Sequence, residues 1–177
     1  PSQPDSLSSL TVDAQGKILV SGYSIGESNH FLVARLNANG PLDSSFGTAG
    51  VAALNVTTLN EQAFHVTSDS KGRVYVSGHS NFDFLTMRLL SNGSLDSSFG
   101  DNGRVRSSLG NNTDEFINSA VVTDDGVMVG GPSFNGNFYQ FGFAKYLEDG
   151  TPDPSFGNNG IALFHVGHNH AQLFALA

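Results

Sequence analysis

The sequence predicts an all-β fold made of about three copies of one four-stranded unit. Three observations carry that prediction: an internal repeat of about fifty residues, short apolar runs set between turn residues, and the composition. Glycine accounts for 21 of the 177 residues, and 38% of residues are hydrophobic. Such a mix supplies many tight turns and an ordinary apolar core.

One hexapeptide sets the repeat. "LDSSFG" spans Leu42 to Gly47 and recurs unchanged from Leu95 to Gly100, and "TPDPSFG" from Thr151 to Gly157 is a near copy. Asp43, Asp96 and Asp153 are 53 and 57 residues apart, and Gly40, Gly93 and Gly150 keep the same two spacings, as do Gly50, Gly103 and Gly160. Upstream, "AQGKILVSG", "SKGRVYVSG" and "DDGVMVGG" correspond, followed by "FLVARLNANG", "FLTMRLLSNG" and "FGFAKYLEDG". A period in this range marks whole-blade or solenoid units.

Each unit reads as four short strands. In the second they are expected at Ala63–Thr67, Arg73–Ser77, Phe84–Leu90 and Arg104–Leu109. Several strands are nearly all apolar, such as "ILV" at Ile18–Val20 and "FLVA" at Phe31–Ala34. A continuous apolar strand is covered on both faces. Blades stacked around an axis supply that cover, and a lone sheet does not. The expected architecture is an all-β propeller segment of about three four-stranded blades, open or part of a larger ring. Blade 1 is expected at about 7–62, blade 2 at about 63–115, blade 3 at about 116–172, and the start of a fourth at 173–177. The last of these aligns with the first strand of blade 2. Closure is therefore expected from further blades of the same chain or from a second copy.

The hexapeptide has a structural reading. It follows the hairpin turns "NANG", "LSNG" and "LEDG". Asp43 is placed to accept from the next backbone N–H groups, as an N-cap does. Gly47 permits a positive φ. Phe46, Phe99 and Phe156 are expected to fill the same pocket between blades. Arg35, Arg88 and Lys145 stand eight residues before the three aspartates. The hairpin turn lies midway, so each cation faces its aspartate, and the expected role is structural ion pairing.

These motifs resemble the delta-60 repeat, a bacterial β-propeller repeat of unknown function. "LDSSFGxxG", "DxxGKILVSG" and "FLVARLNxxG" carry the resemblance, which covers Leu7 to Ala177. The third copy departs at Pro152, Pro154 and Lys145. The resemblance implies a propeller of the kind found in secreted or surface-attached bacterial proteins, with no catalytic residues to carry over.

Composition excludes several functions. With 16 acidic and 8 basic residues, the net charge of -8 lacks the basic footprint that nucleic acid or an anionic membrane surface requires. No apolar run is long enough to span a bilayer as a helix. The absence of cysteine removes disulfides and thiolate metal sites.

Two motifs invite a catalytic reading. "GYSIG" at Gly22 to Gly26 matches the G-x-S-x-G nucleophile elbow, but a strand, not a helix, follows it. Gly78-His79-Ser80 and Gly131-Pro132-Ser133 fall at the same place, so a repeated turn is expected. "HVGHNH" groups His165, His168 and His170, a set that could hold a metal. The histidines are local to one copy, and no metal ligand, cofactor or catalytic residue is assigned.

The copies diverge in the turns after the second and fourth strands, which emerge together at one end of an up-and-down blade. Recognition concentrates on such loops. The candidate binding residues there are Tyr23, Glu61, His79, Glu115, Phe134, Tyr139 and His168. The expected function is non-catalytic: a module of an extracellular or cell-surface protein that binds protein or glycan, or serves as a scaffold. The competing expectation is a hydrolase or metal-dependent enzyme using the same loop face.

Overall fold

The structure, a computed structural model, describes residues 5–24, 29–54, 61–109 and 115–165. These residues form twelve strands and no helix. The first sheet holds β1 (Asp5–Val12), β2 (Ile18–Ser24), β3 (His30–Leu36) and β4 (Val51–Leu54) in sequential order. The second holds β5 (Glu61–Ser68), β6 (Val74–Ser80), β7 (Asp83–Leu89) and β8 (Arg104–Ser107). The third holds β9 (Ser119–Thr123), β10 (Gly126–Phe134), β11 (Tyr139–Leu147) and β12 (Ile161–Phe164). All neighbours pair antiparallel, so each unit is an up-and-down blade. The four strands of the second unit are found where the sequence places them, with shifted ends. β5 already starts at Glu61 and β8 stops at Ser107. The expected start of a fourth blade at 173–177 lies outside the described residues.

The middle sheet explains the continuous apolar strands. Val74, Val76, Leu85, Met87 and Leu89 pack against Leu19, Phe31, Val33 and Phe46 of the first unit. The alternate residues Tyr75 and Phe84, with Phe99, pack against Val127, Val129, Ala144 and Tyr146 of the third. A strand between two cores needs apolar groups at every position. Burial raises the Tyr146 phenol to about 12, and its hydroxyl donates to Ser107 Oγ at 2.8 Å across the seam.

The three blades form an open arc. Leu10 and Val12 on the outer side of the first blade are 65% and 61% exposed, and Phe164 on the third is 49% exposed. The pocket expected for all three hexapeptide phenylalanines is complete only twice. Phe46 and Phe99 are fully buried, whereas Phe156 is half-buried, because no described sheet lies against the third blade's outer face.

The repeated Gly22, Gly78 and Gly131 are not turn residues, as their place in "GYSIG" suggested. They lie within β2, β6 and β10. Pairing slips one residue at Leu7/Ser9 opposite β2 and at Ala63/His65 opposite β6. Each bulge drives a backbone carbonyl toward the facing glycine. A Cβ would overlap the carbonyl oxygen of Ser6, Gln62 or Phe116.

Candidate functional site

The two ends of the blades differ in chemistry. At the hexapeptide end, each aspartate organises its own turn. Asp43 Oδ1 accepts from the Ser45 amide at 3.1 Å and the Ser45 hydroxyl at 2.7 Å, and Asp96 and Asp153 do the same with Ser98 and Ser155. The predicted ion pairs form: Arg35 Nε to Asp43 at 2.8 Å, Arg88 Nε to Asp96 at 2.8 Å, and Lys145 Nζ to Asp153 at 2.7 Å. Lys17 also pairs with Asp43, and Lys145 also reaches Asp125 at 2.8 Å. The Lys17 ammonium, followed by Ser45, holds the Asp43 carboxyl well below the usual range. The Lys145 ammonium, followed by Ser155, lowers Asp153 to about 2. For Asp96, burial pushes the carboxyl up, but Ser98 and Arg88 outweigh it and the net shift is downward.

The same turns also stitch blade to blade, which the sequence did not reveal. Arg35 Nη1 donates to Ser91 O of the next blade at 2.6 Å, and Gly47 N–H donates to Asn92 O at 2.8 Å. One unit on, Arg88 Nη1 donates to Glu148 O and Gly100 N–H to Asp149 O at 2.7 Å. Arg35 lies 4.7 Å from the centre of the Phe46 ring, and Arg88 is equally close to Phe99. A repeated polar set satisfied this fully within the fold is a structural device.

The opposite end carries the candidate binding residues. The structure moves several of them from loops into strands: Tyr23 and His79 near the ends of β2 and β6, and Phe134 and Tyr139 paired with each other across β10 and β11. The hairpins stay paired almost to their tips. Phe134 and Tyr139 rings lie 5.0 Å apart, both half-buried. Glu61 and Glu115 are fully buried. Glu115 accepts from the Leu109 amide with both carboxylate oxygens, at 2.8 and 2.9 Å, and bridges to Ser133. Their amides tie blades together, Glu61 N–H to Asn29 O and Glu115 N–H to Phe82 O, both at 3.1 Å. His168 lies outside the described residues, as does His170, and His165 packs its ring 4.1 Å from Phe138. Among the described residues no three His, Cys, Asp or Glu side chains are grouped to hold a metal.

Sequence reasoning found His79 but missed its company. The His79 ring sits 4.9 Å from Phe116, 5.4 Å from Phe64 and 6.3 Å from Phe82. Phe64 and Phe116 are half-buried, and Phe82 is 51% exposed. Ser80 pairs with Asp83, so Asn81 and Phe82 form the whole turn between β6 and β7, and both have positive φ, 48° and 69°. That is the I′ hairpin geometry, which favours Asn and Gly. Phenylalanine there is strained. The available signal was the two-residue gap with a phenylalanine where that turn wants glycine.

Ser24 lies on β2, with Asp5 and His30 opposite it on the two flanking strands. The order across the sheet is Asp–Ser–His. The imidazole does not stand between hydroxyl and carboxylate, as a relay requires.

A protein-family profile described as "Domain of unknown function (DUF5122) beta-propeller" matches residues 15–46, 72–99 and 123–156, one segment in each blade. No curated protein matches the chain. The three matched segments hold 94 of the 177 residues, and each contains its blade's second and third strands and the hexapeptide as far as its phenylalanine. The chain therefore belongs to this β-propeller family of unknown function.

Proposed function

We propose that the chain is a non-catalytic propeller module of a secreted or surface-attached bacterial protein, and that it binds a glycan at the end of the blades where the β6–β7 hairpin emerges. The exposed, strained Phe82 carries this reading. Backbone strain at a bulky residue costs on the order of 1–3 kcal/mol and persists where the side chain's position is useful. Phe82 stands beside His79, with Phe64 and Phe116 behind it. An aromatic face with a polar neighbour suits the C–H faces and hydroxyls of a sugar. The "LDSSFG" wording of the turns supports placing the repeats with the delta-60 type, which is the source of the bacterial, extracellular setting.

The test separates stability from binding. Phe82→Asn puts a residue tolerant of positive φ into the turn, so the thermal midpoint should rise, by about 1 kcal/mol of stability. Binding on a glycan array should disappear. An array on which the unmodified protein binds nothing, or on which Phe82→Asn binds equally well, would defeat the reading. Capture of a protein ligand that is lost with Phe82→Asn would keep the site and change the ligand class.

A further inference from the structure

We propose that the aromatic group around His79 takes an uncharged sugar that presents two adjacent hydroxyls, and that Gln62 is the residue that reads that pair. The proposal rests on the glycan reading above and adds the ligand's chemistry to it. Gln62 pairs directly with His79 across β5 and β6. Paired residues point to the same face of a sheet, so the two side chains emerge side by side. Ala63 and Val76, on the other face, are buried against the first blade. The register slips between Ala63 and His65, so Phe64 is the unpaired residue of that bulge. Its ring lies 5.4 Å from the His79 ring. One short stretch of β5 thus brings an amide and an aromatic ring to the same imidazole. The arrangement belongs to the second blade alone. The carbonyl that a Cβ on Gly22, Gly78 or Gly131 would strike is that of Ser6, Gln62 or Phe116, which marks those three as equivalent. Only the second copy carries an amide there. The third copy's Phe116 packs on the same His79 ring, 4.9 Å away.

Gln62 is half-buried, and nothing among the described residues bonds its carboxamide. That group holds an acceptor oxygen and a donor NH2 side by side. Two adjacent hydroxyls of a sugar ring match this fork. One O–H donates to Oε1 while the neighbouring oxygen accepts from Nε2. An isolated hydroxyl engages only half of the fork and leaves the other half without a partner in the bound state, which weakens binding. The charges nearest in the chain are held within the fold. Glu61 and Glu115 are fully buried, and Arg106 pairs with Asp83 at 2.7 Å. Rings and one amide are therefore what a ligand meets, a lining that suits an uncharged sugar with its C–H face on the exposed Phe82.

Ligand-observed NMR titration reads the outcome. The probes are the methyl glycosides of glucose, galactose and mannose, their monodeoxy derivatives, and glucuronic acid. In the unmodified protein, loss of either of two adjacent hydroxyls should weaken binding at least about tenfold. In Gln62→Leu the same deoxy sugars should bind within about threefold of their parent, the coupling that a double-mutant cycle reports for direct partners. Gln62→Ser gives this place the residue that the first blade carries at Ser6, so it fits the bulge without adding an apolar group, and it should behave as Gln62→Leu does. Deoxy sugars that lose as much affinity in both variants as in the unmodified protein would overturn the role of Gln62 and leave the glycan reading standing. So would a pair of critical hydroxyls that are not neighbours, or tighter binding of glucuronic acid than of the neutral sugars. Binding of none of the probes would remove both readings. Equal binding of them by Phe82→Asn would remove the glycan site on which this proposal stands.

Discussion

Arg88 Nε donates to Asp96 Oδ2 at 2.8 Å, and the same guanidinium reaches across the seam to the carbonyl of Glu148. Its third arm donates to Ser98 Oγ at 2.9 Å. One side chain therefore fixes the turn of its own blade and the position of the next. Only a fork of donors can do this, and a lysine in its place is a point charge. Lys145, at the equivalent place in the third blade, bonds two aspartates and no carbonyl of another blade among the described residues.

Asp96→Ala should destabilise the protein by about 3–5 kcal/mol, because it leaves Arg88, 2% exposed, with an uncompensated buried charge. Glycan binding by the molecules that remain folded should be unchanged, since Asp96 lies at the other end of the blade. Denaturant unfolding and a binding isotherm on the same preparation check both parts.

Acid should loosen the third blade in a defined window. The folded Asp153 carboxyl sits at about 2 against an ordinary 3.8, so its contribution is fully present above the ordinary value. It is lost as pH falls from there toward about 2. Asp43 and Asp96 are shifted in the same direction and add to the slope. Asp153→Asn should flatten the fall of stability with acid below about pH 4, measured by urea unfolding at a series of pH values.

Ala49→Asn should stabilise the first blade by roughly 0.5–1 kcal/mol. Ala49 and Gly50 form a two-residue turn closed by Thr48 and Val51, and Ala49 is held at φ 53°. The second and third blades place Asn102 and Asn159 there, at 51° and 53°. Asparagine tolerates this region and alanine does not. The thermal midpoint is the readout.

Phe99→Ala should cost about 3–5 kcal/mol, the ordinary range for emptying a buried aromatic site. Phe156→Ala, at its equivalent in the third blade, should cost less than about 1 kcal/mol in dilute protein. The two residues occupy the same place in the repeat and differ in what covers them. Equal losses, measured by denaturant unfolding at low protein concentration, would show that Phe156 is covered as fully as Phe99.

Much of the fold was legible because the repeat copies local rules. The spacing of Asp43, Asp96 and Asp153, with a cation eight residues before each, encodes a hairpin, a cap and an ion pair within one blade. The seam contacts were not legible. Arg35 meets Ser91 fifty-six residues away, and nothing in either residue type announces the carbonyl that the guanidinium finds. Glu61 and Glu115 fall where the copies diverge after the fourth strand, which points to loops, but β5 starts at Glu61, and Glu115 turns inward to hold the Leu109 amide. The recurrence of Gly22, Gly78 and Gly131 at one place in the repeat suggests a turn, but each lies within a strand, where a facing carbonyl leaves no room for a Cβ. At the candidate site, His79 was found by its divergence among the copies. Phe82 stands out by its backbone angle, and its one trace in the sequence is a phenylalanine in a two-residue turn.

The seam contact between Gly47 N–H and Asn92 O joins two backbone groups. A main-chain donor and a main-chain acceptor carry no side-chain identity, so one blade recognises the next by the shape of a turn. Any unit that folds the same turn can follow any other. Duplicating or deleting a whole unit in the gene would then leave this backbone stitch intact, and the blade number could change in single genetic steps while the loops diverged independently.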